Sequence, residues 1–414
     1  MKLSYIGHAC VLVKSEKNHR GLLFDPWIFG GSWSNTLRLK KEWDPKSKIF
    51  QNCDILISHA HSDHLQAKSL RSLCELERRT IFIPKYKHGN YFIERVRNIC
   101  GDLSDIREIE EFENIEINSC DIKIILNDLG DHDSSFFVDV DDFNIFLQTD
   151  NIMSINFAKA LKKNQITSKK IDIAFMMFYQ TGAYPLFFDI EENIKLERLI
   201  KKDLQSIKYT EELATILEPS VVVPYATDII YDSRITKKNP HIEKISDNWD
   251  SEINLDFPSQ GTFTKDCIKF CKIKENELQT FKNLDVSYSK KINLSDFIQK
   301  LKKYLNNKFI DFEENKDIST LAFKISIENL SIYGCINNKQ IKIKEFFKKQ
   351  ELNLEVSIDL NRLSSCFDEY NGWLGLMELW NGGLKCKRYK DIYTNIEKQF
   401  WMTLYRFDYD LNYY

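Results

Sequence analysis

The chain has 414 residues, long for one compact core, so a catalytic domain with a smaller companion is the expected organisation. Its 58 basic and 61 acidic residues give a formal net charge of -3. So balanced a field does not draw a chain to nucleic acid or an anionic membrane surface, which leaves small polar molecules as the expected partners. No run of about 18 uninterrupted apolar residues occurs, which argues against a membrane span.

The opening MKLSYIGHACVLVK is apolar, but His8 interrupts it and no small-residue cleavage site follows, so it reads as a strand rather than a secretory leader. The ten cysteines are scattered without a CxxC pair, as reduced and mostly buried thiols would be, and a cytoplasmic location is the expectation. Residues 1–25 alternate apolar and polar positions around a Lys/Asn-rich turn and read as a hairpin ending in LLFDPW. The next strand, 53–58, runs straight into HAHSDH, and Leu65, Leu70, Leu73 and Leu76 then recur at helical spacing, which places the motif on a strand-to-helix loop.

A short strand over 81–84, a helix over 89–100 and strands between 106 and 126 follow. Segments 136–140 and 143–147 form a hairpin closed by an Asp-Asp turn, with His132 before it and Asp150 after it. IDIAFMMF and SVVVPYA read as buried strands, with a long amphipathic helix over 191–217 between them. Strands alternating with helices predict an α/β layered domain.

In HAHSDH, His59 and His61 lie two apart on extended chain, project from one side and can share one ion. Asp63 and His64 sit where the chain turns into the helix and can address a second ion. Imidazole with carboxylate suits zinc, iron or manganese rather than calcium or magnesium. A surface loop with satisfied histidines is the bland alternative, disfavoured by four ligand-type residues in six at the exit of a buried strand.

This H-x-H-x-D-H hexad, in this setting, resembles the signature of the metallo-β-lactamase superfamily. The resemblance implies a four-layer αββα sandwich binding two divalent metal ions at one edge. It makes His132 the third histidine of the first site and Asp150 the carboxylate bridging both ions. It also implies a late histidine in a Pro-x-His arrangement, but here Pro224-Tyr225-Ala226 puts alanine in that place. Asp228, Asp232 and His241 are the nearby candidates, with His241 preferred for its imidazole and Asp228 for its position.

YIGHACVLV and LLFDPW resemble the branch containing ascorbate-phosphate lactonase and CMP-sialic acid hydroxylase. That resemblance places His8 at the metals as a catalytic, substrate-contacting or ligand-supporting group and lets Asp25 orient a ligand imidazole. The segments DPWIFGGSWSNTLRLKKEWDP, ILISHAHSDHL and QTGAYPLFF extend the likeness to the hydroxylase over residues 1–245. The paired Cys-x-His and Cys-x-x-His motifs of its Rieske domain do not occur in the sequence. Trp33 and Trp43 in the intervening loop either stack on substrate or anchor the loop, and Tyr184 is a further substrate-binding candidate.

The first expectation is a hydrolase of a small polar ester, lactone or phosphate-containing substrate, using a metal-bound hydroxide positioned by Asp63 and Asp150. The alternative is a diiron oxygenase of a small molecule or sugar nucleotide fed by a separate reductase, and a non-enzymatic binding protein is the third. The catalytic domain is expected over 1–255. Residues 256–414 read as a smaller α+β accessory domain, faintly sterol-carrier-like, acting as a lid or in homodimerisation, with a helix over 294–305 and strands in LAFKISIE, SIYGCIN and LNLEVSID. Trp373, Leu376, Met377 and Trp380 there form either an apolar groove or core.

Overall fold

The computed structural model describes residues 1–33, 36–86, 91–129, 133–164, 170–177, 188–226, 229–231, 261–264, 267–272, 293–306, 320–337, 339–358, 360, 363, 384–389 and 395–405. In chain order the first strands are β1 (Lys2–Gly7), β2 (Cys10–Lys14), β3 (Gly21–Phe24), the short pair β4 (Gly31–Ser32) and β5 (Leu37–Leu39), then β6 (Cys53–Leu56), β7 (Arg79–Pro84) and β8 (Ser104–Ile109). They are followed by β9 (Asn114–Ile117), β10 (Cys120–Leu126), β11 (Ser134–Val140), β12 (Phe143–Leu147), β13 (Ile173–Met177), β14 (Val221–Tyr225), β15 (Ile229–Tyr231), β16 (Gly261–Thr264) and β17 (Cys267–Lys272). Helices α1 (Ala67–Leu76), α2 (Tyr91–Cys100), α3 (Ile155–Lys163) and α4 (Glu192–Leu217) are interspersed.

One sheet has the order β17-β16-β1-β2-β3-β6-β7-β8 and the other β14-β13-β12-β11-β10-β9. Leu3, Val11, Val13 and Phe24 from the first meet Ile122, Phe136, Val138, Ile145 and Phe175 from the second in one buried cluster. The alternate residues Ile6, Leu12, Leu23 and Ile55 face the other way, onto a cluster shared with Leu70 and Leu73 of α1 and Val96 and Ile99 of α2. Phe137 and Phe146 likewise pack with Ala158 of α3 and Leu213 of α4. The result is an αββα sandwich whose central strands are apolar on both faces because helices cover both sheets. Each such Phe or Leu is worth about 1.5–3 kcal/mol of burial, so a slip of one residue, which exchanges the two faces, is strongly resisted.

Two details depart from the sequence reading. Leu76, at the end of α1, is 49% exposed rather than part of the buried stripe, because the helix stops there and the chain turns outward at Glu77. The first sheet also does not end at residue 255: β16 pairs antiparallel with β1 through Leu3 and Phe263, and β17 extends it, so strands beyond the expected boundary belong to the sandwich.

A five-stranded sheet follows, from β18 (Thr320–Ile327), β19 (Leu330–Asn337), β20 (Gln340–Lys344), β21 (Leu354–Ile358) and β22 (Leu384–Arg388), in the order β20-β19-β18-β21-β22. Helices α5 (Leu294–Leu305) and α6 (Asn395–Tyr405) pack on it through Phe297, Leu301, Phe400 and Trp401. Phe188, from before α4, joins the same core, forms a parallel bridge with Cys386 and lies under the Arg388 guanidinium at 4.0 Å. Trp373, Leu376, Met377 and Trp380 lie outside the described residues.

Candidate metal centre

The parallel strands β3, β6, β12, β13 and β14 bring their C-terminal ends to the two sheet edges where side chains are free to converge, the usual place for a ligand site in an α/β sheet. Asp25 follows β3, the hexad follows β6, Asp150 follows β12 and Ala226 follows β14. Asp133 precedes β11, which runs antiparallel to β12 and so starts at the edge where β12 ends. Non-glycine residues in the left-handed backbone region gather here: His8 (φ 48°), Asp25 (φ 43°), Trp33 (φ 48°), Thr149 (φ 55°) and Ala226 (φ 59°). Such conformations cost about 1–3 kcal/mol each and persist where the surroundings over-determine them.

Three groups of donor atoms can hold metal ions: His59, His61 and Asp133; His59, His64 and Asp150; and His8, Asp63 and His64. His59 Nε2 stands 2.7 Å from His61 Nδ1 and 3.5 Å from Asp133 Oδ1. Asp150 reaches to both sides, with Oδ1 3.2 Å from His64 Nε2 and Oδ2 3.9 Å from His59 Nε2. His64 Nε2, Asp63 Oδ1 and both ring nitrogens of His8 are buried without a hydrogen-bond partner. Orphaned polar atoms this deep are costly in a protein interior, and a cation shared among them removes the cost, so the donor set fits a dinuclear centre.

Surrounding hydrogen bonds aim these donors. Asp25 accepts from the Ser58 backbone N–H at 2.7 Å, from Ser58 Oγ at 2.7 Å and from His64 Nδ1 at 2.8 Å. Because the Ser58 hydroxyl gives its proton to Asp25, its lone pairs face His59 Nδ1 at 2.9 Å. Both imidazoles therefore carry a proton on Nδ1 and turn Nε2 inward, the nitrogen through which each would bind a metal ion. The Ser58 carbonyl is held in turn by Tyr86 Oη at 2.9 Å and Ser134 Oγ at 2.8 Å. Ser69 fastens the covering loop, receiving the N–H groups of Ile28 and Phe29.

Electrostatics separate the groups. Burial holds His59 well below the ordinary imidazole range, and the repulsion its proton would meet from His64 and His61 adds to this. Burial also lowers His61, against the opposing pull of Asp63 and Asp150. In His64, burial is outweighed by Asp150 and Asp25, which raise it well above its usual value. Burial pushes Asp63 up, but His8, His64 and His61 more than reverse this and hold it below the usual carboxylate range. An ionised carboxylate close to His59 and His61, both of which burial keeps from protonating, is a metal-binding arrangement, with the extra proton on His64 the one that an incoming cation displaces.

Residues 2–176 match the family described as the beta-lactamase superfamily domain. This segment is a metallo-β-lactamase-superfamily domain. Within the superfamily, a stretch of 73 residues (17% of this chain) is 36% identical to the cytidine monophosphate-N-acetylneuraminic acid hydroxylase of Danio rerio, covering 12% of that protein. The Xenopus laevis hydroxylase matches at 34% over 77 residues, 18% of this chain and 13% of that protein. The matches thus span about an eighth of these relatives. Similar solved structures include CmlA, a diiron beta-hydroxylase from Streptomyces venezuelae (16% identity, TM-score 0.37, 60% of this chain and 51% of that one). Another is human tRNase Z, short form (11% identity, TM-score 0.34, 54% of this chain and 92% of that one).

The superfamily domain brings together His8, Asp25, His59, His61, Asp63, His64 and Asp150 from the residues singled out in the sequence. His132, Tyr184, Asp228, Asp232 and His241 lie outside the described residues. Trp43 is not a stacking platform: its ring is buried against Phe50 and its Nε1 donates to the Ile6 carbonyl at 3.0 Å, so it anchors the loop. Trp33 lies beside the centre, its ring 5.2 Å from that of His61 and its buried Nε1 without a partner.

Two residues were missed. Asp133, next to the expected His132, brings a carboxylate to 3.5 Å from His59, and no local pattern marks it as a further donor. Arg95 is buried, and its positive charge depresses His59 and His61. It had a signal, since it falls with Phe92, Val96 and Ile99 on the apolar stripe of α2, where a charge needs a reason.

Proposed function

We propose that the chain is a dinuclear iron oxygenase that hydroxylates a small molecule or sugar nucleotide. The observation that carries this reading is the shell of His59, His61 and Asp133, joined to His64 through Asp150. Among the described residues, two imidazoles and one carboxylate gather at each end of the centre, a donor set that suits non-haem iron, and the three aspartates among these donors make it hard. The stretch of sequence shared with hydroxylases supports the same choice.

When bound, iron would supply the redox chemistry of oxygen activation, with electrons from a separate reductase. The chain's own residues do the rest. Asp25 and Ser58 hold the imidazole protons on Nδ1. The buried Arg95 adds a positive charge that helps keep His59 and His61 unprotonated, and so free to bind a cation. Trp33 Nε1 is a spare donor at the His61 edge that can orient a substrate, and the apolar loop around Trp27 and Trp43 excludes water.

A hydrolase of a small polar ester, lactone or phosphate remains the second reading, favoured by the ionised Asp63 at the His64 side, where a carboxylate can hold and orient a water. Metal analysis after anaerobic purification separates the two. Two iron atoms per chain, with oxygen uptake in the presence of a chemical reductant, are expected. Zinc that supports hydrolysis of model esters without oxygen uptake overturns the oxygenase in favour of the hydrolase.

A further inference from the structure

His8 is built as an inner ligand rather than a bystander. Its ring is fully buried, 5.1 Å edge-on to Trp27 and 5.7 Å from the His64 ring, and neither nitrogen makes a hydrogen bond. Nε2 stands 3.4 Å from Asp63 Oδ2. The backbone is pinned in its left-handed conformation because the His8 carbonyl accepts from Tyr5 Oη at 2.9 Å and from the Ala226 N–H at 2.9 Å. Two sheets thus cooperate to hold a strained residue whose side chain has no polar partner of good geometry. Ala226, which meets it backbone to backbone, brings no donor side chain of its own to this corner. Asp63 and His64 each bring a donor atom within 4.8 Å of that of His8.

We propose that His8 ligates the second metal ion through Nε2, completing a shell with Asp63 and His64 for a divalent first-row transition metal. This rests on the dinuclear reading of the centre. It gives β1, far from the hexad in sequence, a direct part in metal binding. It also accounts for the strain at His8, since moving the backbone to a relaxed conformation would swing the ring away from Asp63.

The test uses the full chain, stripped with chelator and reloaded with cobalt(II) under anaerobic conditions. The wild type is expected to bind two ions, whereas His8→Ala keeps one and binds the second more than about 100-fold more weakly. His8→Cys is expected to gain a thiolate-to-cobalt charge-transfer band in the near ultraviolet, a signal that a thiol outside the shell does not give. In the wild type, zinc loading should move the ¹⁵N resonance of His8 Nε2. A cysteine variant with the wild-type spectrum, an alanine variant with two tight ions, or an unmoved His8 resonance overturns the assignment and leaves His8 as a neighbour of Asp63 outside the shell. A wild-type chain that binds no ion brings down the dinuclear reading instead.

Discussion

Asp25 and His64 are joined at 2.8 Å between Oδ2 and Nδ1, with both side chains fully buried. The same carboxylate reaches His59 through the Ser58 hydroxyl, so one acid sets the proton position of two imidazoles that serve different sides of the centre. Asp25→Asn keeps the volume but turns an amide donor toward His64 or Ser58. Metal affinity is expected to fall 10–100-fold, the usual cost of losing a supporting carboxylate. Unfolding stability is expected to fall by about 1–3 kcal/mol for the donors left unmatched. Equilibrium dialysis with zinc and urea unfolding of the metal-free protein read the two effects separately. Unchanged affinity with lowered stability would confine Asp25 to a structural role.

A second acid should dominate part of the acid response. Asp54 receives Arg20 Nη2 at 2.8 Å, Arg20 Nε at 3.2 Å, the Thr80 N–H at 3.0 Å and Asn118 Nδ2 at 3.0 Å, tying β3, β6, β7 and the turn between β9 and β10 together. Burial raises its pKa, but these donors, Arg20 foremost, lower it overall. A carboxyl depressed in the folded state stabilises the protein above its unfolded value of about 3.9 and loses that contribution as pH falls through the folded value. Asp54→Asn is therefore expected to cost about 1–3 kcal/mol at pH 7, with the gap to wild type closing as unfolding is repeated toward pH 3. A gap independent of pH would show that charge is not what Asp54 contributes.

The hexad and its flanking elements are legible because their information is local: four ligand-type residues in six, a strand before them and an apolar helical stripe after. The period-2 pattern likewise exposes β11 and β12 and puts Asp150 at the correct edge. What escapes depends on distant pairing. β16 returns more than 250 residues later to lie beside β1, and no local pattern announces that partner. The approach of Asp133 to His59 depends on how β11 is set against β12, and the role of His8 depends on backbone contacts from Tyr5 and Ala226.

The five-stranded sheet offers a packing test independent of the metals. Gly334 on β19 is paired with Phe323 on β18, and a Cβ at 334 would lie 2.5 Å from Phe323 Cζ. Phe323 has no room to yield, being fully buried with the tilted ring of Phe400 4.5 Å away between ring centres. Gly334→Ala should thus destabilise this sheet by about 1–3 kcal/mol, the range for overpacked cores, despite the better strand propensity of alanine. Metal content should not change. Hydrogen exchange over β18 and β19 locates the loss, and exchange as slow as in wild type would mean that the ring moves aside.

On the diiron reading, Asp133 sets how hard the first site is. Its Oδ1 lies 3.5 Å from His59 Nε2, where it can complete a shell with His61. With this carboxylate as ligand, Asp133→Asn is expected to weaken one ion at least 10–100-fold, as even the loss of a supporting group does. A like loss in His132→Ala would add the neighbouring imidazole to the same shell. Asp133→His carries the argument to metal identity. Imidazole for carboxylate softens the shell, so the ratio of zinc to iron taken up from an equimolar mixture under anaerobic conditions should rise. Oxygen uptake should fall in proportion to the iron lost, since zinc has no accessible redox change. A variant that binds two ions with unaltered preference would place Asp133 outside the shell and remove the donor-set argument for iron.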